Sequence, residues 1–293
     1  MHEGTLVHAG SRVWYRVAGA GGRGASPPLL VLHGGPGVPH DYLVPLDRLA
    51  LAGRAVIYYD QLGCGNSGPR PGGPPWTVEG FVDELGAVVG HLGLERFHVL
   101  GHSWGGMLAL EFACRRPRGL AGLVVASCPA SMRAWSAEAE RLRADLPDVV
   151  RRGLDEHERL GIADRDSYLA LCMQYYRRHV CRLDPWPECV VRAFARMLER
   201  PEVYRSMNGP SDFRVTGTLR DWTIEDRLAL VDVPTLITSG RHDEATPLLV
   251  ECLHRGIAGS SWELFEQSAH LAHVEEPGRY LRRLEAFLSR AER

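Results

Sequence analysis

At 293 residues, with 45% hydrophobic and 24% charged side chains, the chain has the composition of an ordinary globular protein of one large domain, with room for an insertion. A formal net charge of −2 gives no global field toward nucleic acid or an anionic membrane, and no apolar run approaches the ~20 residues that span a bilayer. All 34 basic residues are arginine, so the lack of lysine excludes Schiff-base chemistry and a phosphate-loop lysine together.

In chain order, Met1-His2-Glu3-Gly4-Thr5 has neither the basic start nor the apolar core of a secretory signal. Residues 12–18 read as a strand and the Gly/Ser/Pro stretch 19–28 as a loop. Leu29-Leu30-Val31-Leu32 is a short continuous apolar run, as a parallel strand buried on both faces requires. It ends at His33-Gly34-Gly35-Pro36-Gly37, which continues neither strand nor helix. A second buried strand, 55–59, leads into Asp60-Gln61-Leu62-Gly63-Cys64-Gly65-Asn66-Ser67, a Pro/Gly-rich loop at 68–75 and a helix at about 77–92. The strand 97–101 runs into Gly101-His102-Ser103-Trp104-Gly105-Gly106, then into a helix beginning at Met107, and the strand 120–126 follows.

After Pro129 the pattern changes. Up to Trp222 the chain offers only amphipathic helical stretches, at 135–146, 148–160, 166–180 and 188–199. Sixteen arginines and fifteen acidic residues interleave there, a solvated helical surface rather than a nucleic-acid patch. Strand–helix alternation resumes at 235–239 and 262–265 and closes with a helix from about 277. The expected architecture is an α/β core with a mostly parallel sheet, in two parts at 1–128 and 223–293, interrupted by an all-helical cap at 129–222. Seven scattered cysteines without a Cys-x-x-Cys pair imply reduced thiols and a cytoplasmic location. The histidines show no His-x-x-x-His on a helix, so no metal or cofactor is expected.

A strand entering Gly-x-Ser-x-Gly and leaving as a helix is the setting of a nucleophile elbow, which makes Ser103 the candidate nucleophile. A serine hydroxyl needs a base, and the base needs an orienting acid. In an α/β-hydrolase sheet these follow in the order Ser, acid, His, each on a loop after a strand. Asp243 follows the strand 235–239 and His270 follows the strand 262–265, with His273 as competing base three residues on. The oxyanion donors expected are the backbone N–H groups of Trp104 and, from the glycine loop, Gly35. That loop lacks the Gly-x-Gly-x-x-Gly of a dinucleotide site, and serine at 103 excludes the carboxylate nucleophile of a dehalogenase or epoxide hydrolase. His242 and Asp41 are read as structural.

Taken together, His33-Gly34-Gly35-Pro36-Gly37, the Asp60–Ser67 segment and the elbow resemble the core signatures of the proline iminopeptidase family of α/β-hydrolases. Met207-Asn208-Gly209-Pro210-Ser211-Asp212-Phe213, followed by Gly217-Thr218-Leu219-Arg220-Asp221-Trp222, is similar to the end of its cap. The resemblance implies a serine aminopeptidase that frees an unblocked N-terminal residue, often proline, from small peptides or amino-acid amides without metal or cofactor. Reading an ammonium so near the scissile carbonyl needs a carboxylate beside the nucleophile. Glu244 and Asp212 match the positions where the family supplies carboxylates, with Asp212 one methylene shorter than the usual glutamate; the bland alternatives are a solvated loop acid and a turn residue. Tyr204, Phe213 and Trp222 are candidates for an apolar pocket, or else cap packing. Two other outcomes stay open: an amidase, esterase or acyl-transferring enzyme of specialised metabolism, and a ligand receptor on the same fold that does no chemistry.

Overall fold

The computed structural model describes residues 1–19, 26–72, 76–162 and 164–292, so parts of the expected loops 19–28 and 68–75 lie outside the described residues. Eight strands form one sheet: β1 (His2–His8), β2 (Ser11–Ala18), β3 (Leu29–Leu32), β4 (Val56–Asp60), β5 (Phe97–His102), β6 (Leu120–Ala126), β7 (Thr235–Gly240) and β8 (Ser261–Phe265). Their order is β1-β2-β4-β3-β5-β6-β7-β8. The first two pairings in that order are antiparallel and every later one is parallel. The fold is an α/β hydrolase with a mostly parallel sheet.

The central strands explain their own sequences. Leu29, Leu30, Val31 and Leu32 are all at most 1% exposed because helices cover both faces, so no alternation of polar residues survives there. At the sheet's antiparallel edge β1 has only Leu6 buried, and it shows no apolar run that would mark it as a strand. It was not expected from sequence, and what makes it is its hairpin with β2, paired from His2↔Val17 to His8↔Ser11.

Helices Val78–His91 and Trp104–Cys114 pack on the sheet, the first capped by the Thr77 hydroxyl, which accepts from Gly80 N–H at 3.1 Å. Between β6 and β7 the described chain contributes helices Met132–Ala144, Asp148–Arg159, Arg165–His179, Glu188–Glu199 and Glu202–Met207, and no strand of the sheet. The insertion is zipped at its base by the bridge Ser131↔Thr223 and by the bonds Met132 N–H to Trp222 O and Ile224 N–H to Ala130 O, both 2.9 Å. Short helix Glu202–Met207 and helix Pro247–Gly256 were not anticipated, while Pro277–Ala291 forms the closing helix. Because β5, β7 and β8 run parallel, the loops that follow them open at one edge of the sheet, under the inserted helices.

Candidate active site

Ser103 stands between β5 and helix Trp104–Cys114 with φ 56° and ψ −123°, a conformation an L-residue rarely adopts. A Cβ on Gly101 would sit on the Gly105 carbonyl and one on Gly105 on the Leu32 carbonyl, so both flanking glycines are obligatory. In an otherwise buried elbow Ser103 is half-exposed, and it borders a cavity of about 620 Å³.

The loop after β7 brings Asp243 to the same edge. Its Oδ1 lies 2.7 Å from Nδ1 of His270 and also accepts Ala245 N–H at 2.8 Å. That contact puts the protonated ring nitrogen toward the acid and leaves Nε2 facing the cavity that His270 and Ser103 share. His270's own backbone is held on both sides: its N–H donates to the His179 carbonyl at 3.2 Å and its carbonyl accepts from the Ser127 hydroxyl at 3.0 Å. His273, by contrast, is buried away from the cavity with Nε2 3.1 Å from the Tyr42 carbonyl, and burial lowers its pKa to about 4.

Gly35 has φ +110°, and a Cβ there would press on Gly37 N and Val38 N at 2.6 and 2.7 Å. It is the half-exposed member of the otherwise buried segment 33–37 and borders the cavity. Trp104 opens its helix, so its backbone N–H has no carbonyl of that helix to bond. Its indole donates to Gln61 at 2.8 Å, and the Gln61 amide donates in turn to the His33 carbonyl at 3.0 Å, which couples the elbow to the glycine loop. Asp60 is buried and accepts from His40 N–H, Asn66 N–H and the His40 ring at 2.8–3.1 Å, fixing the turn below.

Two further carboxylates reach the cavity, Glu244 from the same loop as Asp243 and Asp212 from the chain between β6 and β7. Glu244 is 3% exposed, its Oε1 lies 3.8 Å from Nε2 of His270, and its Oε2 has no hydrogen-bond partner among the described residues. Burial first, then the nearby Asp212 and Asp243, pushes its pKa well above the usual carboxylate range. Asp212 borders the same cavity; burial raises its pKa, against the hydrogen bond that Tyr204 donates at 2.8 Å. The Asp212 carbonyl accepts from the Trp135 indole at 2.8 Å, and the preceding Ser211 hydroxyl lies 3.0 Å from that of Tyr168, so the helices between β6 and β7 hold this turn. Neither carboxylate is a solvated loop acid.

Of the three candidate pocket aromatics only Tyr204 borders the cavity. Phe213 packs 4.9 Å from Tyr175, and Trp222 donates its indole to Glu111 at 2.9 Å; their bulk is used in packing and at the base of the insertion. His242 is exposed, with its carbonyl 3.0 Å from the His179 ring, and Asp41 binds Arg192 and Arg196 of helix Glu188–Glu199 at 2.7 and 2.8 Å. Asp41 thus ties the helix to the core, while His242 contributes its backbone carbonyl. The apolar lining contributed by Leu169, Phe194, Met197 and Leu198 was not anticipated, since apolar cap residues carry no mark that separates lining from packing.

The family profile described as the alpha/beta hydrolase fold matches residues 27–277, the class already defined by the sheet order and the elbow. Proline iminopeptidase from Lactobacillus helveticus is 37% identical over 290 residues, spanning 98% of this chain and 97% of the relative. That from Saccharolobus solfataricus is 36% identical over 289 residues, spanning 98% and 92%. The crystal structure of VinJ superposes with a TM-score of 0.96 at 44% identity, covering 99% of each chain. That of proline iminopeptidase from Mycobacterium smegmatis gives 0.90 at 43% identity, again covering 99% of each. The chain belongs to the proline iminopeptidase family of α/β-hydrolases and is a serine hydrolase of the aminopeptidase type.

Proposed function

We propose that the protein removes an unblocked N-terminal aminoacyl residue from a short peptide or amide through an acyl-enzyme on Ser103. The observation that carries this reading is the convergence of Glu244 and Asp212 on the cavity that holds Ser103 and His270, with one Glu244 oxygen unpartnered among the described residues. A buried, unpaired carboxylate is expensive unless a cation compensates it, and a substrate ammonium is such a cation. With the ammonium between these carboxylates, the carbonyl carbon, two bonds away through Cα, reaches Ser103. His270 Nε2 takes the serine proton as Oγ attacks, and the tetrahedral oxyanion is met by the N–H groups of Gly35 and Trp104. His270 then protonates the leaving amine, and a water repeats the sequence on the ester.

The cavity, about 620 Å³, is of the size that takes a drug-sized ligand, so the leaving amine also has room under the inserted helices. That volume, with its apolar wall, keeps a second reading: an amidase or acyl-transferring enzyme whose amine partner is larger than an amino acid. The seven cysteines are all free, which supports a reducing, cytoplasmic setting, and among the described residues no helix is long and apolar enough to cross a membrane.

A panel of nitroanilides of proline, alanine and larger residues, each free and N-acylated, tests the reading. Unblocked amides should be preferred by roughly 10³-fold in kcat/KM, because acylation removes the charge and strands the carboxylates. Equal rates on blocked and unblocked amides would promote the amidase reading instead.

A further inference from the structure

Beneath the reacting groups lie a tyrosine and a histidine that the chemistry above does not use. Tyr42 and His102 are each 2% exposed, and both touch the floor of the cavity. The Tyr42 hydroxyl accepts from Gly34 N–H at 2.8 Å and lies 2.9 Å from Nδ1 of His102. Nε2 of His102 lies 2.9 Å from the carbonyl of His270. The two ends of this chain each allow one role, since a peptide N–H only donates and a carbonyl only accepts. His102 therefore carries a proton on Nε2 and donates to His270; on a neutral ring Nδ1 is bare and takes the single proton of Tyr42, which itself accepts from Gly34. A second proton on His102 would oppose the Tyr42 hydroxyl, and burial, with His270 and His273 nearby, holds its pKa well below the usual range.

We propose that Tyr42 and His102 are positioning residues: one directed chain of hydrogen bonds, Gly34 to Tyr42 to His102 to His270, holds the oxyanion loop and the base in register with Ser103. Each joint adjoins a reacting group. Gly34 precedes Gly35, His102 precedes Ser103, and the last acceptor is the backbone of the base itself. With the Ser127 hydroxyl on the same carbonyl and the His179 carbonyl on its N–H, His270 can gain and lose a proton at Nε2 while its backbone stays fixed. The chain also engages the N–H of Gly34, which leaves that of Gly35 as the loop's donor to the oxyanion. The three loops come from distant parts of the sequence, and this chain gives them a common anchor.

The proposal rests on the reading of Ser103 and His270 as nucleophile and base, and the test keeps the two apart. Tyr42→Phe removes only the hydroxyl. With kcat expressed per site titrated by a fluorophosphonate, it should fall roughly 10- to 100-fold while KM for unblocked proline nitroanilide stays unchanged, since sub-ångström misplacement acts on the transition state. Affinity for a boronate that forms a tetrahedral adduct should fall in parallel. A variant with fewer titratable sites or a lower Tm but full kcat per site would overturn the proposal, because that is the outcome of a merely structural role. A second measurement needs no active variant. In isotope-labelled wild-type enzyme, the His102 ring nitrogens, assigned by their loss in His102→Gln, should show a bare Nδ1 and a protonated Nε2 through neutral pH. A proton on Nδ1 would reverse the chain and overturn the proposal even if Tyr42→Phe does not fold. An active Ser103→Ala enzyme, in contrast, would sink the triad reading and leave this tautomer assignment standing.

Discussion

One wall of the cavity holds Asp243 and His270, engaged by each other and by backbone; beside it Glu244 and Asp212 form a second wall with raised pKa values, and Oε2 of Glu244 has no hydrogen-bond partner among the described residues. The first wall is preorganised before substrate arrives, as groups that meet developing charge need to be. The second is left incomplete, and under the proposed function a substrate ammonium completes it. The difference teaches where chemistry and selectivity reside. On that reading, loops after parallel strands hold Ser103, Asp243 and His270 in place, and the carboxylates under the inserted helices choose the substrate.

The largest expected effect tests the sheet-edge wall. Ser103→Ala should lower kcat by roughly 10³-fold or more, and His270→Ala by about as much, because nucleophile and base act as a unit. His273→Ala should be much milder on kcat, since its ring bonds the Tyr42 carbonyl and not the cavity. A severe His273→Ala beside a mild His270→Ala, measured on unblocked nitroanilides, would falsify the assignment of the base.

Next comes the carboxylate wall. Asp212→Ala should weaken unblocked substrates by roughly 10- to 100-fold in kcat/KM and leave simple acyl esters nearly unchanged, as expected when one charge-assisted hydrogen bond is removed. The pH dependence has a definite sign. Burial raises both carboxylates, so they take up protons above the usual carboxylate range, and KM for an unblocked substrate should climb as pH falls through that raised value. An acyl ester should show no such climb. If ester and amine shared one pH profile, the carboxylates would not be reading the ammonium. Asp212→Glu sharpens the test: better dipeptide turnover would mean the shorter arm is a compromise for peptides, and poorer turnover of the native substrate that it is tuned to another amine.

The smallest effect lies at the Asp60–Ser67 turn. Glu84 is 1% exposed, its carboxylate accepts Leu62 N–H at 3.0 Å, and burial raises its pKa from 4.5 to about 8. The folded state thus keeps a proton that the unfolded chain releases above the lower value, and stability is lost as pH rises through the upper one. Glu84→Gln retains a neutral acceptor and should raise stability by on the order of 1–3 kcal/mol near pH 9 and hardly at all near pH 5. Thermal melts at the two pH values check it; an equal shift at both would mean that ionisation of Glu84 is not the cause.

Much of the α/β core was legible because its strands are buried on both faces. Runs such as Leu29–Leu32 then have a composition that little else in a globular chain shares. The elbow was legible for a related reason, since local sterics alone demand glycine at 101 and 105 whatever surrounds them. Edge strand β1 was not, because one exposed face and a single buried leucine leave almost no periodic signal. Helix Pro247–Gly256 also passed unread, although Pro247 at its first turn is an ordinary start signal.

By itself, then, the sequence determined the class of chemistry: a serine in an obligatory strand–turn–helix, an acid and a histidine after later strands, and two carboxylates at family positions. Local sterics write the elbow into residue type and spacing, whereas the two carboxylates are what the resemblance to the family implies. Which histidine meets Asp243, which aromatic meets Asp212 and how deeply Glu244 is buried were decided only by the tertiary structure. His270 and His273 differ by one turn of chain and nothing in composition, yet one faces a carboxylate and the other a backbone carbonyl. Tyr42 and His102 stand 60 residues apart, and only the folding of β5 against the glycine loop gives that pair a direction for its protons.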